Sequence, residues 1–266
     1  MRRHLRQLSI GLATAALLAP LGAADPASAR GPASASIPGP VNAGNTYKWG
    51  PIAQRYEFET SRLERYWHKS GPGQVRNQFG MLTLNTRRHG TLSATLARRG
   101  HPFGRWETRM RAHRFTTGHA PYRVVVALVP AGKRPQHCGA GDIGLTSFIP
   151  DQNGPATWTT RQLPNVQHTF TRAMSFAPNE WHTFAVEVTK HRIAWFVDAH
   201  AVSVEHVSHP SHVPLTVRFT MEPVGGGTHD ASRMQMDWLR YWTLKVPDHK
   251  PVRGPAPTAS TYAGAC

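Results

Sequence analysis

From residue 81 to residue 244 the chain is built of short runs that alternate polar with apolar residues or string β-branched and aromatic ones together; no ten-residue stretch carries the 3.6-residue apolar spacing of an amphipathic helix. Successive side chains of a strand point to opposite faces, so each run can bury one face and solvate the other. Met81–Leu84, Thr91–Arg98, Arg105–Ala112, Tyr122–Val129, Thr169–Phe176, Trp181–Thr189, Ile193–Asp198, Leu215–Met221 and Met234–Leu244 read as strands. Within 104–112, Trp106, Thr108 and Met110 share one face while Arg105, Glu107, Arg109 and Arg111 share the other. Many short strands separated by turn signals predict an all-β chain, a jelly-roll sandwich of two antiparallel sheets.

The ends have a different character. MRRHLR, the apolar run LSIGLATAALLAPLGAA and the small-residue site Ala27-Ser28-Ala29 together predict a secretory signal over residues 1–29, cleaved after Ala29. The apolar run is short and broken by Gly and Pro, which argues against a membrane span, and no later segment reaches spanning length. Residues 30–50 and 247–266 are rich in Pro, Gly, Ala and Ser and read as a linker and a tail around one domain, 51–246. An extracellular monomer is expected.

The formal net charge is +16. Such an excess favours anionic partners, and export puts acidic cell-wall polymers and acidic polysaccharides ahead of nucleic acid. His119, His137 and His168 are scattered, so no metal-catalytic cluster is predicted. The two cysteines, Cys138 and Cys266, allow one disulfide or two free thiols, and both readings stay open.

Several segments carry a resemblance. FGRWETRMRA (103–112), NEWHTFAVEV (179–188) followed by IAWFVD (193–198), and MDWLRYW (236–242) resemble, in this order, the YGRFEARIKA-like strand, the WHTYAVEW…ITWYVDG hairpin and the closing strand of glycoside hydrolase family 16. The resemblance covers roughly residues 55–244. It implies a concave, lectin-like (concanavalin A-like) jelly roll whose cleft binds and hydrolyses β-glucans, galactans and similar polymers. Family members carry E-x-D-x-E, or E-x-D-x-x-E with a bulge, on one cleft strand, so that the acids share a face and the outer two serve as nucleophile and acid/base.

The stretch CGAGDIGLTSF (138–148) departs from that pattern. The resemblance places Asp142 at the middle acid, Ala140 at the nucleophile and Gly144 or Leu145 at the acid/base, which implies a degenerate site. Where the family has an aromatic segment like WPAFWMLP, this chain has RVVVALVP (123–130). The resemblance also implies a structural Ca²⁺ held by Asp237 and the Gly80 carbonyl; the bland alternative pairs Asp237 with an Arg.

Three functions are therefore weighed. The first is a secreted, catalytically silent relative that binds polysaccharide, with Arg123, Arg105, Arg109, Arg111 and Asp142 as contacts. The second is an active hydrolase with relocated acids, for which Glu222 is the candidate partner of Asp142. The third is an envelope scaffold.

Overall fold

The computed structural model describes residues 41–132, 139–207 and 212–263. The signal sequence expected at 1–29, residues 30–40, and both Cys138 and Cys266 lie outside the described residues. Among the described residues no helix is long and apolar enough to cross a membrane.

Two antiparallel sheets make up the domain. The first runs β13 (His200–His206), β12 (Arg192–Val197), β11 (His182–Val188), β6 (Gly104–Arg114), β15 (Ser232–Trp242), β4 (Met81–Thr86), β3 (Gly73–Gln78), with β1 (Gln54–Tyr56) also on β15. The second runs β16 (Thr258–Thr261), β10 (Val166–Phe176), β9 (Gln152–Gln162), β8 (Ile143–Phe148), β7 (Tyr122–Pro130), β14 (Leu215–Pro223), β5 (Leu92–Leu96), β2 (Trp67–Ser70). All nine runs expected to be strands are strands, and the two-sheet sandwich is the predicted one.

The alternation does its work between the sheets. Leu82, Leu84, Trp106, Met110, Phe184, Val186 and Trp195 from the first sheet meet Leu92, Tyr122, Val124, Val126, Leu128, Trp158 and Phe219 from the second. Each such side chain contributes about 1.5–3 kcal/mol on burial. Trp195 also donates its indole N–H to the Gly144 carbonyl across the core, 2.9 Å away, tying β12 to β8.

Both chain ends differ from expectation. Residues 41–50, read as linker, form a short helix α1 (Ala43–Thr46) and a turn that lie on the outer face of the first sheet. Ala43, Tyr47 and Trp49 build a second apolar cluster there with Ala185, Ala194, Phe196, Val204 and Trp242. Residues 247–263, read as tail, form a strap: Asp248 and Val252 are buried from solvent, the Pro255 carbonyl accepts from Ser203 and Val204 of β13, and β16 pairs with β10. Contacts distant in sequence hold both segments, and composition does not report those.

Glu107 pins α1. Its carboxylate accepts from the Ala43 and Gly44 amides while itself fully buried, and burial pushes it up to about 7 against an ordinary value of 4.5. A raised folded-state value means that the folded chain holds the proton more tightly, so this group favours folding below pH 4.5 and that contribution drains away as pH rises through 7. The shift is worth about 3 kcal/mol. Glu107→Gln, which cannot ionise, should therefore flatten the fall in melting temperature between pH 5 and pH 8; a parallel fall in wild type and variant would contradict the assignment.

Candidate functional site

The stretch 139–148 lies on the second sheet. Gly139 and Gly141 have φ of +74° and +87°, values that a side chain resists, and they bend the backbone into a turn closed by Asp142 N–H donating to the Gly139 carbonyl at 3.0 Å. β8 begins only at Ile143. Ala140 is thus in a turn, not on the strand where the resemblance places a nucleophile. Farther along, Leu145 follows Ile143 into the core by plain alternation, and a slip in the pairing of β8 with β7 between Val126 and Ala127 then turns Phe148 inward as well. Leu145 is no cleft position. Gly144 is opposite Ala127 on one side and Thr159 on the other, and a Cβ there would come within 2.9 Å of the Thr159 hydroxyl.

The face of this sheet that looks away from the core can be read row by row from the pairing. Thr95, Arg218, Ala127, Gly144, Thr159, Thr169 and Thr258 stand side by side across seven strands, with Ser93, Thr220, Val125, Ser147, Thr157 and Thr171 in the row beside them. The result is a hydroxyl-rich surface with a low centre at Ala127 and Gly144. Trp67, Trp158, Phe148 and Phe219 of the same sheet belong to the core cluster instead. The Thr-x-Thr pairs at 157/159 and 169/171, each straddling an inward aromatic residue, were the sequence signal for this surface.

Asp142 is half-buried at one edge of that surface. Burial raises it to about 6 against the pull of Arg218 and Arg161, and its Oδ1 has no hydrogen-bond partner. Neither Arg218 nor Arg161 was among the expected contacts. Gly139 adjoins Arg161, over whose guanidinium Tyr262 of the C-terminal strap sits at 5.2 Å.

Glu222 does not join Asp142. It stands opposite exposed Arg123 near the start of β7, whereas Ile143, next to Asp142, stands opposite Leu128. Five residues of β7 separate the two places, roughly 17 Å at about 3.3 Å per residue. Every Asp and Glu except Asp25 lies among the described residues, and most of the others are engaged elsewhere. Glu107, Glu187 and Asp237 lie on the outer side of the first sheet, Glu205 reaches Thr160 and His168 between the sheets, and Asp151, Asp198 and Asp230 hold turns. Relocation of the acids onto Asp142 and Glu222 is thereby overturned.

Arg105, Arg109 and Arg111 share a face, as the alternation required, but it is the outer face of the opposite sheet. Arg105 is 2% exposed and held by Glu187 at 2.6 Å and Asp248 at 3.2 Å, so it is a structural residue and not a ligand contact. Arg109 donates to Asp237 at 2.7 Å, and Arg111 to the Gln235 side chain at 3.1 Å. Gly80 forms the tight β3–β4 turn with Phe79, both at positive φ. With Asp237 committed to Arg109, the cationic guanidinium would repel a calcium ion that needs six or more oxygen ligands. Among the described residues no group of three or more His, Cys, Asp or Glu could hold a metal.

By sequence, no family model and no curated protein matches this chain. Solved structures do match. The laminarinase of Rhodothermus marinus superposes with a TM-score of 0.60 at 16% identity, covering 72% of this chain and 96% of its own. The catalytic domain of the endo-1,3-β-glucanase of Thermotoga petrophila gives 0.62 at 12% identity, over 74% and 98%. SCLam, a non-specific endo-β-1,3(4)-glucanase of glycoside hydrolase family 16, gives 0.58 at 17% identity, over 73% and 91%. The fold is that of the family 16 glucanases. On this family 16 fold, the positions that the resemblance assigns to nucleophile and acid/base carry Ala140 and Gly144.

Proposed function

We propose that this chain is an exported polysaccharide-binding protein that uses the family 16 scaffold without hydrolytic chemistry. One observation carries the reading. Retaining glycosidases need two carboxyl groups about 5–5.5 Å apart, and on the β8 face the two available, Asp142 and Glu222, are separated by roughly three times that distance. A general acid or base alone is worth typically 10²–10⁴-fold, and the covalent partner is missing as well. The hydroxyl rows beside Arg218 and Arg161 supply donors and acceptors suited to the hydroxyls of a glycan. The amino-terminal MRRHLR, apolar run and Ala27-Ser28-Ala29 site support export.

The test is one incubation scored twice. With laminarin and a panel of neutral and acidic polysaccharides, the purified protein should be retained on at least one polymer and release no reducing ends. Release that disappears in Asp142→Asn would overturn the reading.

A further inference from the structure

We propose a second binding surface, on the opposite side of the sandwich, where Arg109, Arg111, Arg233 and Arg76 form an anion-binding face for an acidic polysaccharide. It goes beyond the glycan site on the β8 face and does not depend on it. Arg109 and Arg111 are two residues apart on β6 and so project to the same side, about 6.7 Å apart along the strand. Arg233 of β15 pairs with His113, which places it diagonally next to Arg111, and the row Arg111, Gln235, Thr83, Arg76 carries the positive face across to exposed β3.

Aromatic rings fix the guanidiniums in place. The Arg109 and Arg111 guanidiniums lie 4.5 and 4.6 Å from the Trp181 ring, and that of Arg233 lies 5.0 Å from Phe115. Stacking holds a guanidinium plane without using its N–H edges, which bond a carboxylate or sulfate in two-point fashion.

The opposing negative charge is thin. Asp237 is bonded to Arg109, and Glu180 turns toward the Ala177 amide and His182. Arg111 titrates below the ordinary arginine value because of burial, with Arg233 and Arg109 adding repulsion that Asp237 only partly offsets. Three guanidiniums are thus held close enough to disfavour one another, an arrangement that a polyanion relieves. The Trp181 ring is already covered by guanidinium and is no platform for a nucleobase, which favours a polysaccharide over single-stranded nucleic acid.

The experiment titrates the purified chain with polygalacturonate at several salt concentrations, beside neutral laminarin and single-stranded DNA. Binding to polygalacturonate should weaken with salt. Arg111→Gln combined with Arg233→Gln should lower the affinity at least tenfold and flatten the salt dependence, while Arg172→Gln, which removes one charge on exposed β10 of the other sheet, should leave it within twofold. Laminarin retention should not change in any of them, which separates this surface from the β8 face. Wild-type affinity in the double variant, or an equal loss in Arg172→Gln, overturns the proposal; tighter binding of DNA than of polygalacturonate at equal salt overturns the choice of polymer. If the double variant melts early, Arg76→Gln carries the test, with about a threefold loss expected and none overturning it.

Discussion

A chain ending at Val246 should fail to fold. The strap that it lacks supplies Asp248, which accepts from Arg105, Arg192 and the Trp49 indole N–H, and Val252, which closes the second apolar cluster. Arg105 would keep one of its two carboxylates, and stranding buried charge costs about 3–5 kcal/mol. Losing the burial of Val252 adds about 1.5–3 kcal/mol. Total stability is typically about 5–15 kcal/mol, so the sum takes most of it. Near-ultraviolet circular dichroism should collapse and hydrophobic dye binding should rise. A chain ending at Ala256 keeps Asp248 and Val252 and loses β16, so it should keep its tertiary signal; equal damage from both truncations would locate the effect in β16 instead.

Glu187→Ala should be the most damaging single substitution. Glu187 is fully buried on β11 between Arg105, whose Nε is 2.6 Å away, and Arg192, whose Nε is 2.9 Å away. Removing it leaves Asp248 as the one carboxylate on two guanidiniums, a loss of about 3–5 kcal/mol. For a domain of this size that is a fall of roughly 6–20 °C in melting temperature. Arg105→Met with Glu187→Leu, which removes a charge of each sign, should lose less than Glu187→Ala alone, because an apolar pair leaves nothing stranded. A double variant worse than the single would mean that shape rather than charge dominates the site.

The sandwich was legible because a period of two can be read along a single strand. What a strand cannot report is which sheet it will join. Arg105, Glu107, Arg109 and Arg111 were correctly placed on one face, yet nothing in 104–112 says that this face looks away from the 139–148 stretch; that follows from β6 pairing with β11 and β15. The ends misled for a different reason. Small residues at 41–50 looked like flexible filler, but a Cβ on Gly44 would sit 2.6 Å from the Trp242 ring, so glycine is there for close approach. Leu145 illustrates a third limit. Spacing offered it and Gly144 equally for one role, but the pairing keeps regular alternation through Ile143 and Gly144 and slips only beyond them, so Leu145 follows Ile143 into the core.

The two ends of the domain also meet each other. The His249 amide donates to the Tyr47 carbonyl at 3.0 Å, Lys250 lies over the Tyr47 ring, and Asp248 accepts from Trp49. Residues 47–49 must therefore wait for partners about 199 positions later in the chain before they can seat fully. Closure of this seam is thus a late event in folding, whatever the order in which the two sheets assemble.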